Sequence, residues 1–307
     1  MNYSDDYINK ILDDEVVFSN EVALKYQYPD NITHLLYIIV PAFILKYGLN
    51  YRSLIHECFS SIPIKIYDKQ DKIYQAYYYS RPIKDADKFV TQKGIVLNNY
   101  KDIELMQLID NLVHEFNHAI NSMQNEIMIA SDIKIRTGIV YNYFDINSLR
   151  FIKQDPEVII EEVINTRQTE MIINIIHSFS NYQINNSTIA STLYSINYSI
   201  GTNYESNSYL LESYVCKQLL KNKTFISTLE NLRFTGQVDD IKTFFDSVTG
   251  FDNSFIELSM CLNKSIKLQN ELVNRKWFRK RKIRRIQEIN KRAMDIVNLF
   301  NNNTIYK

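Results

Sequence analysis

The chain has 307 residues, 45% hydrophobic and 23% charged, enough to bury one large core or two modest ones. Only six Gly and five Pro occur, which argues against a turn-rich sandwich or barrel and against long flexible linkers. Net charge is zero, yet residues 275–292 hold ten Lys and Arg against the single acid Glu288, leaving 25 bases and 34 acids for the remainder.

Three cysteines, Cys58, Cys216 and Cys261, are too few and too far apart for a disulfide framework or a Cys-x-x-Cys site, and read as free thiols in a reducing compartment. The N-terminus is acidic, with no basic region followed by an apolar one, so no secretory signal is expected. The most apolar stretch, Leu35 to Tyr47, contains Pro41 and Lys46 and is too short to span a bilayer. The expectation is a cytoplasmic protein with no transmembrane segment.

In chain order, residues 1–60 form an N-terminal helical segment. His34 to Val40 reads as a helix that Pro41 kinks or splits, and a short helix follows from about Tyr51 to Ser60. His56-Glu57 in that helix is a decoy for a metal motif, because position 60 is Ser. From Ile62 the apolar period changes to two. Ile62–Tyr67 and Ile73–Tyr79, joined by the polar Asp68–Lys72, predict a hairpin; Phe89–Thr91 and Gly94–Leu97 add one or two strands.

A helix is then predicted from Asp102 as N-cap to about Met123, with a wide apolar face through Ile109, Leu112, Val113, Phe116 and Ile120. Residues 127–145 return to strand-like sequence. Asp155-Pro156-Glu157 is a strong helix start, and the helix runs to His177. An Asn/Ser/Tyr-rich stretch, 181–209, gives way to helices at about 209–221, 225–232, 239–249, 254–272 and 275–300. The fold class expected is α+β, predominantly α. Its segments are 1–60, a catalytic core at 61–180 with a small sheet, and a helical C-terminal part at 181–307.

The chemistry lies in the helix after Asp102. His114-Glu115-Phe116-Asn117-His118 reads H-E-x-x-H. Positions i and i+4 share a helix face, so both imidazoles can meet one Zn²⁺ while Glu115 serves a water as general base. The pattern resembles the signature of the zincin metallopeptidases. A zinc hydrolase needs a third protein ligand and an open fourth position. The metzincin extension needs Gly at 121 and His at 124; Asn121 and Gln124 stand there instead. The helix after Pro156 carries Glu161 and Glu162, 43 and 44 residues beyond His118, and acids within an apolar helix are costly to bury unless they bind something.

A narrower likeness chooses between them. His114-Glu-Phe-Asn-His-Ala119 resembles the H-E-F-G-H-A segment of the anthrax lethal factor group of metallopeptidases, and Glu162-Val163-Ile164 is similar to that group's acidic ligand segment. The likeness covers these two helices only. Asn117 replaces the glycine, and Thr166 stands where the group has an acid. It implies a zincin-like core of gluzincin type, with His114, His118 and Glu162 as metal ligands, Glu161 as runner-up, Glu115 as the catalytic base, and a peptide or protein as substrate. Tyr141, Tyr143, Tyr204, Tyr209 and His177 are open candidates for an oxyanion donor, and Asn165 and Thr169 for orienting the ligands. The basic run 275–292 offers an alternative: a non-catalytic zincin-like or helical protein that contacts nucleic acid or an acidic partner. Its bland reading is the solvated face of a helix packed through Trp277, Ile283, Ile286, Ile289, Ile296 and Leu299.

Overall fold

The computed structural model describes residues 3–68, 75–199, 212–274 and 279–305. It is 67% helix and 16% strand in two small sheets, an α+β fold that is predominantly α. The chain divides into two units: Met1–Met123 with Asn165–Glu205, and Gln124–Ile164 with Ser206–Lys307.

The first unit opens with α1 (Asp5–Tyr26), started by Ser4, whose hydroxyl accepts the Tyr7 N–H at 3.2 Å, with Asp5 and Asp6 favourably placed in the first turn. Next, α2 (Asp30–Tyr47) is buried along almost its whole length, from Leu35 to Ile44. Of the two expected outcomes at Pro41, a kink or a split, the split does not occur. The helix runs through that position, and the residues around it, from Leu35 to Ile44, are all buried. No single described helix is long and apolar enough to cross a membrane. In α3 (Arg52–Ser61), the decoy His56 is a structural residue: its Nε2 lies 2.7 Å from the buried Glu15 carboxylate and its ring stacks on Phe18.

The first sheet contains β1 (Ile64–Tyr67), β2 (Ala76–Asp85) and β3 (Lys88–Asn98) in the order β1-β3-β2. The expected β1–β2 hairpin does not form. β1 pairs parallel to β3, and the hairpin joins β2 to β3 through a tight turn in which Ala86 takes φ 50°. The physical reason is burial: Ile95, Val96 and Leu97 are the apolar centre of the sheet, so β3 takes the middle place. Residues 69–74 of the expected hairpin lie outside the described residues.

A short turn of 3-10 helix at Tyr100–Asp102 then leads into α4 (Leu105–Ile120). Glu104, not Asp102, is its N-cap, and it ends at Ile120, three residues short of the expected Met123. The helix α5 (Val158–Ser178) starts two residues after Pro156 and contributes to both units, because their division falls between Ile164 and Asn165. α6 (Ser187–Ser199) completes the first unit inside the Asn/Ser/Tyr-rich stretch, where no helix is expected from the sequence; Ile189, Leu193 and Ile196 bury one face of it.

In the second unit, β4 (Ile127–Ile129), β5 (Asp132–Thr137), β6 (Val140–Asp145) and β7 (Phe151–Gln154) form an antiparallel meander. Five helices follow: α7 (Glu212–Leu219), α8 (Lys223–Thr235), α9 (Val238–Thr249), α10 (Ser254–Asn274) and α11 (Arg279–Ile305). Their core centres on Phe225, Phe245, Phe255 and Phe300, with Phe245 stacked on Phe300 at 4.4 Å. α11 packs through Ile286, Ala293, Ile296, Val297 and Phe300, whereas Ile283 and Leu299 are exposed; Trp277 lies outside the described residues. Cys58, Cys216 and Cys261 form no disulfide among the described residues.

Candidate metal centre

The apolar residues of α4 recur at helical spacing, and Leu108, Ile109, Leu112, Val113, Phe116 and Ile120 bury one broad face. Burial on that side leaves a narrower stripe to polar groups. His114, Asn117, His118 and Asn121, at i, i+3, i+4 and i+7, share it. The rings of His114 and His118 meet edge-on at 4.9 Å between centroids. Ligand atoms of His114, His118 and Glu162, the last contributed by α5, all lie within 4.8 Å of one another, and this group can hold a metal ion. Two imidazoles and one carboxylate are nitrogen and oxygen donors of the kind that bind a divalent metal ion.

The adjacent acid has a different position. Glu161 is 2% exposed, and its carboxylate accepts Arg233 Nε at 3.1 and 3.0 Å, Arg233 Nη2, and the Ile139 backbone N–H at 3.0 Å. Successive helical residues point about 100° apart, so one acid meets a fully buried guanidinium and the other meets the histidines. Gly138 makes room for this ion pair: it has φ 58°, and a Cβ there would collide with the Glu161 carboxylate. The runner-up ligand is therefore a structural ion pair.

Glu115 is 8% exposed, and its Oε2 accepts the backbone N–H of Tyr78 at 2.6 Å. The strand register explains why that amide is available. The Ile95 N–H donates to Pro63 C=O, on the β1 side, so Ile95 and its partner Tyr78 form a non-hydrogen-bonded pair across β2 and β3. The Tyr78 N–H therefore points outward from the sheet edge and reaches Glu115. Pro82, four residues on, occupies the same outward parity, where it has no ladder bond to lose.

Of the residues proposed to orient the ligands, Asn165 reaches α4: its Nδ2 donates to the His114 C=O at 2.9 Å. Thr169 does not, since its hydroxyl donates to Asn165 C=O within α5 at 2.8 Å. Sequence reasoning missed Asn117, Asn121, Tyr47, Gln168 and the Tyr78 amide. The only signal in the sequence was that Asn117 and Asn121 continue the histidine stripe.

Among the oxyanion candidates, His177 stands 15 residues after Glu162 on one continuous helix, roughly 22 Å along its axis, too far to serve the same ion. Burial lowers its pKa, opposed by a hydrogen bond with Asn197. Tyr141 and Tyr143 lie on β6 near Asp155. Burial raises both hydroxyls, and with Asp155 it pushes Tyr143 up to about 12. Tyr204 and Tyr209 lie outside the described residues.

No protein-family model matches the chain, and neither does any curated protein or solved structure.

Proposed function

We propose that the protein is a zinc-dependent metallopeptidase of the zincin type. The observation that carries this reading is the convergence of His114, His118 and Glu162, with Glu115 one step around the same helix. His114, His118 and Glu162 would hold the zinc, which when bound would supply Lewis-acid chemistry to polarise the scissile carbonyl and activate a water. Glu115 is the general base: its carboxylate takes a proton from the attacking water and returns it to the leaving amine. The Tyr78 amide donates to one oxygen of that carboxylate and holds its orientation. A peptide or protein is the substrate.

The test is metal content followed by activity. Purified protein is expected to carry close to one zinc per chain, lost in His118→Ala and Glu162→Gln and kept in Glu161→Gln. Profiling against a peptide library should show cleavage by the wild type and none by Glu115→Gln. Zinc-free wild-type protein that takes up no added zinc sinks the reading.

A second reading rests on α11, where Arg279, Lys280, Arg281, Arg285 and Lys291 are exposed and form no ion pair among the described residues, while Arg284 and Arg292 pair with Glu288 and Glu257. A non-catalytic protein would use that face for nucleic acid or an acidic partner. Filter binding across a salt series decides: affinity should fall steeply with salt and with neutralisation of Arg279, Arg281 and Arg285.

A further inference from the structure

We infer that Asn117 and Asn165 are positioning residues that lock α4 and α5 in the register at which His114, His118 and Glu162 converge. The inference rests on the metal-site reading above and adds the device that sets its geometry.

The apolar face of α4 is aliphatic for most of its length and packs without directional preference. Such a face resists separation better than it resists sliding. A shift of one residue moves a side chain about 1.5 Å along the axis and 100° around it, enough to carry Glu162 away from the two imidazoles. Something directional has to select one register.

Beside the ligands lies a cluster of buried, mutually hydrogen-bonded amides. Asn117 and Asn165 have no solvent exposure, and Gln168 has 1%. Asn117 Nδ2 donates to Asn165 Oδ1 at 2.8 Å and to Gln168 Oε1 at 3.2 Å. Asn165 Nδ2 donates to the C=O of His114, itself a ligand, at 2.9 Å. From α2, the Tyr47 hydroxyl donates to Asn117 Oδ1 at 2.5 Å and accepts from Asn121 Nδ2 at 2.8 Å. Asn121 Nδ2 also donates to Asn117 C=O at 2.7 Å.

Each amide thus has partners on a second helix at one register only, and any slide leaves buried amides unsatisfied. Asn165 is one turn beyond Glu162 on α5, and Asn117 lies between the two histidines on α4, so the lock is applied where the ligands are. This also accounts for an asparagine at position 117: the residue between the ligands does work that a glycine, with no side chain, would leave undone.

The test measures zinc affinity by chelator competition, the d–d spectrum of the Co²⁺-substituted protein, and thermal unfolding of the metal-free form. Asn165→Ala and Asn117→Leu are compared with Thr169→Val, which removes a buried hydrogen bond made within α5 alone. The expected result is a 10- to 100-fold weaker zinc affinity in the two asparagine variants, the order found when groups behind metal ligands are removed. Their cobalt bands should be altered, with a loss of apo-protein stability comparable to that of Thr169→Val. Thr169→Val should keep wild-type affinity and spectrum. If Asn117→Leu does not fold, Asn165→Ala carries the test, because Asn117 then retains Gln168. Unchanged affinity and spectrum in the asparagine variants overturn the inference while leaving the metal site intact. A wild type that binds no zinc through His118 overturns both.

Discussion

The buried pair Arg233–Glu161 gives the sharpest test of how the start of α5 is held. Arg233 has no solvent exposure and Glu161 has 2%, so neither charge is screened by water. Arg233→Met preserves much of the volume and removes the cation. Glu161 then loses its guanidinium partner and keeps the Ile139 N–H. An uncompensated charge in such a position costs about 3–5 kcal/mol, a large fraction of the roughly 5–15 kcal/mol that stabilises a typical domain. For a unit of this size the loss corresponds to a drop in Tm of about 6–20 °C. Adding Glu161→Gln to Arg233→Met removes the orphaned charge and should recover about half of the loss or more, giving a clear coupling energy in the double-mutant cycle. Urea unfolding followed by far-ultraviolet circular dichroism measures all four proteins. A loss below about 1 kcal/mol for Arg233→Met, or a double variant no more stable than that single one, would refute the assignment of Glu161 to a buried structural pair.

Two further outcomes concern the same unit. Glu157 is 1% exposed, neither carboxylate oxygen makes a hydrogen bond, and Lys242 Nζ stands 3.3 Å away. Burial raises its pKa above the ordinary 4.5, with Lys242 opposing the rise. A raised carboxyl pKa means that the folded state holds the proton more tightly. Its contribution is therefore complete below about pH 4.5 and is lost as pH rises through the folded value. Glu157→Gln should remove that loss, so its stability relative to wild type should increase from pH 4.5 to pH 7.5 in urea midpoints; a decrease would count against it. Gly138→Ala should destabilise by about 1–2 kcal/mol for the left-handed backbone alone, and by more because its Cβ meets the Glu161 carboxylate. A thermal melt within 1 °C of wild type would contradict the close approach.

What the sequence made legible was mostly local. The periodic apolar residues of α4, α9 and α10 placed those helices to within a few residues, and the Asp155-Pro156-Glu157 start placed α5. Failures occurred where a distant segment decides. β1 and β2 are neighbours in sequence and alternate alike, yet Ile95–Leu97 of β3 takes the place between them. α6 was hidden because Ser, Asn and Tyr have modest helix propensity, although Ile189, Leu193 and Ile196 carry the correct spacing. Pro41 is tolerated because burial of its neighbours on α2 outweighs the hydrogen bond it cannot make. The division of the chain at 123, 164 and 205 cannot be read from composition, since no linker-like sequence marks it and α5 runs through one of the boundaries.

The two adjacent glutamates of α5 show why a motif needs its surroundings. Glu161 and Glu162 are the same residue type, one position apart, at equally plausible distances from His118. Chemistry alone gives each the capacity to bind a cation. What separates them is the partner each direction offers: Arg233, 72 residues further along the chain, for Glu161, and the imidazoles of α4 for Glu162. On the metallopeptidase reading, satisfying Glu161 internally also makes the neighbouring ligand more selective. A second carboxylate at this turn without a cation partner would, on the same reading, compete for the ion, whereas one paired with Arg233 anchors the helix. On that reading, the acid held by Arg233 helps to define the one that can bind the metal.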